Sequence, residues 1–539
     1  MTTVPNLRDA RRERSAAGIG VRAARLAALP AIVVAFASLS LVAAVSTTSA
    51  QPSISGAALD VRIQALISAL ETYTGAGMKA FDMPGLALGI VSGDRLVYAK
   101  GFGVRSKGGA APVDPRTVFQ IGSTTKAFLA ATMAITVDRA KFRWDDRVID
   151  LYPTFQLKDA WVTREFRVYD LIAQRSGLPP YVNDLLPFLG YDEPAAIRSL
   201  RDVEPVSSFR STFAYTNITH LLAGRIVANL AGAPDWNAVA RRELLEPLGM
   251  VETTFTAEAI QAAANHAEGS RWTPDGTIGV PLPTSPYAEG PAGNLNSTVE
   301  DVARWVRLQL GNGSFEGRRL VSPANLAYTR TPKVAITDKM SYALGWVVAQ
   351  TPNGTIVWHN GGTTGFHAFI GMTLDKEVGV IVLSNSNVDL PDAIGMWALD
   401  RLLDNPAVDY VAAKLKDAKS NFLSEQKSFA KPEHPRPFPS LAPLAGRVAS
   451  PAFGKALLRP DGDALVLELE EVGAHFALAP WDGDIFTIRL LPRGRFVPVV
   501  ANLAERPMGF AQFEIGKDGK LGLLRLTLDD GQAYELRRE

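Results

Sequence analysis

Directly after Lys126 the chain runs through eleven residues without a charge, 127–137 (AFLAATMAITV), and this run constrains the fold more than any other feature. It is too short to cross a bilayer and too apolar to lie on a surface, so it predicts a helix buried on all sides within a large domain. A chain of 539 residues, 47% hydrophobic and 21% charged, supplies the core that such a helix needs. Ser123 and Lys126 stand at its entrance. Three residues apart on a helix, their Cβ atoms lie about 5–6 Å from one another, within reach of an amine for a hydroxyl. Serine attacks a carbonyl poorly unless a neighbouring base takes its proton, and lysine is a base only when its pKa falls. The apolar run desolvates the ammonium and the positive end of the helix dipole repels it. An N-capping serine beside a snorkelling lysine is the competing reading, and Ser-x-x-Lys recurs at 424–427 in a charged stretch, where a plain surface helix is expected.

Two further elements carry chemistry. Tyr215-Thr216-Asn217 precedes the helical pattern at 218–230, which puts a phenol and an amide at a strand-to-helix junction. The phenol can relay a proton and the amide can hold a substrate carbonyl; a half-buried tyrosine with a capping asparagine is the alternative. Tyr181-Val182-Asn183 has the same spacing but sits between Pro179-Pro180 and Asp184, and reads as a loop. The third element is Trp358-His359-Asn360-Gly361-Gly362-Thr363-Thr364-Gly365, where glycines permit close approach to the backbone. The N–H of Gly362 and that of Ser123 can meet the oxyanion of a tetrahedral intermediate, and a hairpin turn explains the glycines equally well.

Composition closes other routes. Lys+Arg at 56 against Asp+Glu at 55 leaves no basic field for nucleic acid, and the absence of cysteine removes thiolate nucleophiles, disulfides and thiolate-bound metals. Neither a G-x-S-x-G elbow nor H-E-x-x-H nor a Walker A motif occurs. The six histidines do not cluster as ligands, although His359 and His367 are close enough in sequence to face one site; no metal and no cofactor are expected.

The organisation is α+β. Six arginines, with Asp9 and Glu13, precede a charge-free stretch at 26–50, so residues 1–50 read as a signal peptide cleaved near Ala50 or as an N-terminal anchor in which 26–45 spans the membrane. Either way the protein is expected to be exported to the periplasm; removal of that segment takes the net charge from +1 to −3. Runs at 86–91 and 95–100 around Ser92-Gly93-Asp94 predict a hairpin, helical patterns follow at 218–230 and 299–310, and strand runs at 355–358, 368–373 and 378–383. This catalytic region is assigned 51–430, ending in a closing helix at 407–430. A proline-rich linker occupies 431–440, and 441–539 reads as a small all-β barrel or sandwich with strand runs at 464–469, 476–479, 496–500, 510–515 and 521–528.

Ser123-x-x-Lys126, Tyr215-x-Asn217 and His359-x-Gly361 occur in the order of the three motifs of the serine β-lactamase and penicillin-binding-protein-like hydrolases. The chain resembles the branch with class C β-lactamases, D-alanyl-D-alanine carboxypeptidases, D-aminopeptidases and esterases. Residues 119–122, 175–179, 246–250 and 291–293 also look like that family, and 441–539 resembles the lipocalin-like domain of some of its peptidases. The resemblance implies an antiparallel sheet with helices, Ser123 as nucleophile, Lys126 as base, Tyr215 as proton relay, and Asn217, His359, Gly361 and Gly362 as substrate-binding positions. His359 stands where relatives commonly hold lysine, and a partial charge there predicts a weaker grip on a substrate carboxylate. The expected activity is therefore hydrolysis of small or unusual peptides, D-residue or linearised cyclic peptides among them, with carboxylesterase or weak β-lactamase activity as the alternative. A non-catalytic receptor or assembly module is the reading from another class. The barrel is expected to cover the cleft or to drive self-association into a homo-oligomer.

Overall fold

Strands buried on both faces carry no alternation, and the centre of the sheet shows it: GLALGIVS, HAFIGMT and VGVIVLS are buried at each position. The computed structural model describes residues 56–438, 440–503, 506–528 and 531–539. The leader or anchor expected at 1–50 lies outside them; among the described residues no helix is long and apolar enough to cross a membrane. Helix α1 (Gly56–Ala80) leads into the hairpin β1 (Gly85–Ser92) and β2 (Arg95–Gly103), as the two runs around Gly93 predict. Helix α2 (Thr125–Asp138), α3 (Leu185–Leu189), α4 (Ile218–Ala231) and α5 (Val299–Leu310) form the middle of the chain. Strands β3 (Val334–Ala335), β4 (Met340–Tyr342), β5 (Val347–Thr351), β6 (Gly354–Gly362), β7 (His367–Thr373) and β8 (Val378–Ser384) follow, then α6 (Leu390–Leu402) and α7 (Tyr410–Ser428).

The sheet order is β2-β1-β8-β7-β6-β5-β4-β3, antiparallel throughout. The first hairpin thus pairs with the last strand, Leu86 opposite Ser384 and Ser92 opposite Val378. α5 packs on one side of this seam and α6 on β7 and β8. α2 is buried from Thr125 to Thr136, as its charge-free sequence requires. Its Phe128 stacks on Trp305 of α5 at 4.0 Å between centroids, and Trp305 stacks on Trp346 at 5.3 Å, so the helix carrying Lys126 is locked to the sheet through an aromatic column.

The C-terminal part is a closed barrel of eight antiparallel strands in sequence order, the up-and-down arrangement of a lipocalin-like fold. The strands are β9 (Gly446–Ser450), β10 (Gly454–Asp461), β11 (Ala464–Leu469), β12 (Ala474–Asp482), β13 (Ile485–Leu490), β14 (Gly509–Ile515), β15 (Leu521–Leu528) and β16 (Ala533–Arg538). Burial alternates along β12 and β15, which places one set of side chains inside. The strand expected at 496–500 is instead a short 3-10 turn running into α8 (Val497–Leu503). Pro498 has no N–H for a ladder but fits a first helical turn, and Phe496 is drawn into the barrel core. Truncating Phe128 to Ala should lower the unfolding free energy by about 3–5 kcal/mol, read by denaturant titration of the full chain.

Candidate active site

The nucleophile candidate sits on a turn that only glycines can build. Residues Gly122–Thr124 form one 3-10 turn before α2, and Gly122 takes a left-handed φ of 51°. The end of β6 lies against this turn so closely that a Cβ on Gly361 would fall 1.9 Å from the carbonyl oxygen of Ile121 and 2.8 Å from the nitrogen of Ser123. A Cβ on Gly122 would meet the nitrogen of Gly362 at 3.1 Å. The two backbones that can supply oxyanion N–H groups are therefore in contact. Gly361 and Gly362 belong to the β6–β7 hairpin, opposite Ala368 and His367. Ser123 is half-buried, while the N-cap of α2 is Thr124, with no side-chain cap bond; Ser123 is not a capping serine.

Lys126 is fully buried. Its Nζ donates to Ser123 Oγ at 3.1 Å, Asn217 Oδ1 at 2.7 Å and the Ala292 carbonyl at 2.8 Å. It also lies 4.7 Å from the centre of the Tyr215 ring. Desolvation pushes its pKa down from the usual lysine range to about 7, with the charges of Glu289 and Asp184 opposing the fall. The half-buried Glu289 shows the matching effect, its carboxyl pKa raised by desolvation. Lys126 is thus positioned and tuned to take a proton from Ser123 near neutral pH.

Tyr215 is buried, its hydroxyl bonded to Ser123, and burial holds its phenol pKa well above the ordinary value, so it stays protonated. Asn217 begins α4 without capping it by its side chain; its amide spans from Lys126 to Asp184, donating to Asp184 Oδ2 at 2.7 Å. The turn carrying both is held by Gln174, whose Oε1 accepts from the Thr216 nitrogen at 2.6 Å and from its hydroxyl at 3.0 Å.

His359 corrects an expectation. It is fully buried, and burial first, then the Lys126 cation, press its pKa down to about 3, so it is neutral rather than partly charged at neutral pH. Nδ1–H donates to the Asn360 carbonyl at 2.6 Å, which leaves Nε2 to accept from the Tyr342 hydroxyl at 3.0 Å. Its ring centre is 6.4 Å from that of Tyr215. His367 faces elsewhere: its Nε2 meets Asp392 at 3.0 Å and its Nδ1 lies 3.6 Å from Asp389, which Lys414 also approaches.

Sequence reasoning passed over four groups at this site: Gln174, Asp184, Glu289 and Tyr342. Gln174 stands directly before the quoted stretch at 175–179, and Asp184 lies in the loop set aside as the weaker Tyr-x-Asn. Neither carries a local pattern, because each acts on a residue at least 33 positions away.

Comparison with known proteins identifies the family. The Beta-lactamase family model matches residues 70–405, more than half of the chain, and the chain belongs to that family. An unguisins hydrolase of Aspergillus campestris (strain IBT 28561) is 26% identical over 482 residues, covering 81% of this chain and 85% of that protein. Penicillin-binding protein 4 of Amycolatopsis lactamdurans is 27% identical over 68% of this chain and 92% of its own. Among solved structures, the octameric penicillin-binding protein homologue from Pyrococcus abyssi aligns with a TM-score of 0.57 at 23% identity, over 87% of this chain and 99% of that one. The class C β-lactamase from Rhodobacter sphaeroides aligns at 0.52 and 22%, over 62% and 98%. The protein is a hydrolase of the β-lactamase and penicillin-binding-protein family, with an eight-stranded barrel appended.

Gly361→Ala should abolish acylation of Ser123 while a second, exposed glycine, Gly519→Ala, leaves it intact; active-site labelling distinguishes them. The buried His220 and His359 are held uncharged, His220 well below its usual range through burial. Between the unfolded value of about 6.5 and the folded one, the unfolded chain binds protons that the folded chain refuses, so stability falls as pH drops through that window. His359→Gln should remove up to ~1.4 kcal/mol per pH unit of that slope, read by urea titrations from pH 7 to 4.

Proposed function

We propose that the protein hydrolyses amide bonds of small or unusual peptides, D-residue and linearised cyclic peptides among them, through an ester formed on Ser123. The observation that carries this reading is the buried, low-pKa Lys126 amine 3.1 Å from Ser123 Oγ. In its neutral form Lys126 takes the hydroxyl proton as Oγ bonds to the substrate carbonyl carbon, and the carbonyl oxygen becomes an oxyanion facing the N–H groups of Ser123 and Gly362. Asn217 orients the substrate amide. Tyr215 passes a proton to the departing nitrogen as the C–N bond breaks and is reprotonated from Lys126. Water then adds to the ester, giving a proton to the same relay; the bond between Oγ and the acyl carbon breaks, Ser123 Oγ takes that proton back, and the acid product departs.

Amide rather than lactam substrates are favoured by His359. A neutral, buried imidazole provides no cation to grip a substrate carboxylate, at a position where the resembled β-lactamases commonly hold a lysine. The unguisins hydrolases of Aspergillus campestris and Aspergillus violaceofuscus, which this chain matches over 81% and 84% of its length, support a peptide-related substrate. A panel of p-nitrophenyl esters and D- and L-aminoacyl anilides is the direct experiment for separating esters from amides. Faster hydrolysis of anilides, relative to their intrinsic reactivity, supports the reading; rapid nitrocefin turnover overturns it.

A fluorophosphonate should form a mass adduct on Ser123 that disappears in Ser123→Ala. The rate of its formation should rise with pH through about 7, since only the deprotonated amine accepts the serine proton, and level off above. A pH-independent rate would sink the assignment of Lys126.

A further inference from the structure

A barrel of eight strands has an interior that side chains can fill, and here the hydrolase region contributes to its core. Leu186 and Leu189 of α3, both fully buried, and Tyr191 join the barrel core beside Phe453, Leu458 and Leu536. The Tyr191 hydroxyl donates to the Phe453 carbonyl at 2.7 Å, inside the protein. Arg495 crosses the seam, one Nη2 donating to the carbonyls of Leu189 and Val472 at 2.8 Å each, and its guanidinium covers Gly190. At the other end of the same segment, Gln532, between β15 and β16, donates to the Pro180 carbonyl at 3.0 Å.

Between those two anchors lie the residues that touch the catalytic groups. The Tyr181 nitrogen donates to the Tyr215 carbonyl at 2.6 Å, and the two rings pack at 5.4 Å. Asp184 takes the bond from Asn217. Tyr181 and Asn183 hold left-handed backbone angles of 58° and 54°, uncommon for residues other than glycine.

We propose that the C-terminal barrel is a positioning element of the hydrolase site: by clamping residues 180–191 at both ends, it fixes Tyr181 against Tyr215 and Asp184 against Asn217. Tyr181 and Asp184 are positioning residues, acting through Tyr215, Asn217 and the Lys126 amine that Asn217 holds. This inference rests on the acylation of Ser123 set out above.

The test uses the full chain with the clamp weakened away from the catalytic groups, as the combined variant Tyr191→Phe, Arg495→Ala and Gln532→Ala. Amides of 181–191 should exchange hydrogen faster than in the parent, and fluorophosphonate labelling of Ser123 should slow by about tenfold or more. A second readout excludes a merely structural effect. Lys126 is faced by Glu289 and Asp184, by the neutral His220 and His359, and by protonated Tyr215; of these, withdrawal of Asp184 removes one anionic neighbour. The acid limb of the labelling rate should therefore move to lower pH in the combined variant, and Asp184→Asn should move it the same way. If the combined variant does not fold, Gln532→Ala alone, at a turn between strands, should still show both changes in smaller measure. Faster exchange with the parent's rate and pH limb overturns the proposal while leaving the hydrolase intact. A parent chain that takes no label at Ser123 overturns both.

Discussion

An amine without water around it is the condition on which this site depends. Lys126 has three hydrogen-bond acceptors and an aromatic face, and no exposure. Desolvation makes it a base, while the nearby carboxylates of Asp184 and Glu289 keep the effect from going further. That balance demands a core on every side, which the apolar α2 provides from behind and the column Phe128, Trp305 and Trp346 fixes to the sheet. Burial that costs stability in a lysine is here compensated by packing elsewhere.

The same desolvation reaches the third motif. His359, beside a cation and out of contact with water, is held neutral and is oriented by Tyr342 and Asn360. Its contribution is shape and hydrogen bonding at the site wall rather than charge. The glycines following it serve contact, since Gly361 leaves room for the Ile121 carbonyl and the Ser123 nitrogen.

The barrel and the sheet share the segment at 180–191. Apolar side chains of that segment join the barrel core, and its polar groups reach the site, so one short stretch touches both parts of the chain.

Local periodicity and spacing were enough for the parts governed by neighbours in sequence. Ser123 and Lys126 share a face because helical geometry puts residues three apart together, and the hairpin runs at 86–91 and 95–100, the helix at 299–310 and the all-β character of 441–539 follow from turn residues and alternation, whereas closure into eight strands rather than a sandwich does not. At 496–500 the β-branched composition pointed to a strand, and the missing N–H of Pro498 with the burial of Phe496 made it a turn and a helix instead. The partners Gln174, Asp184, Glu289 and Tyr342, the charge of His359 and the joining of Leu186, Leu189 and Tyr191 to the barrel core lay beyond such reading. Each depends on how much water remains around a group and on which distant backbone arrives beside it, and those are set only when the chain has closed on itself.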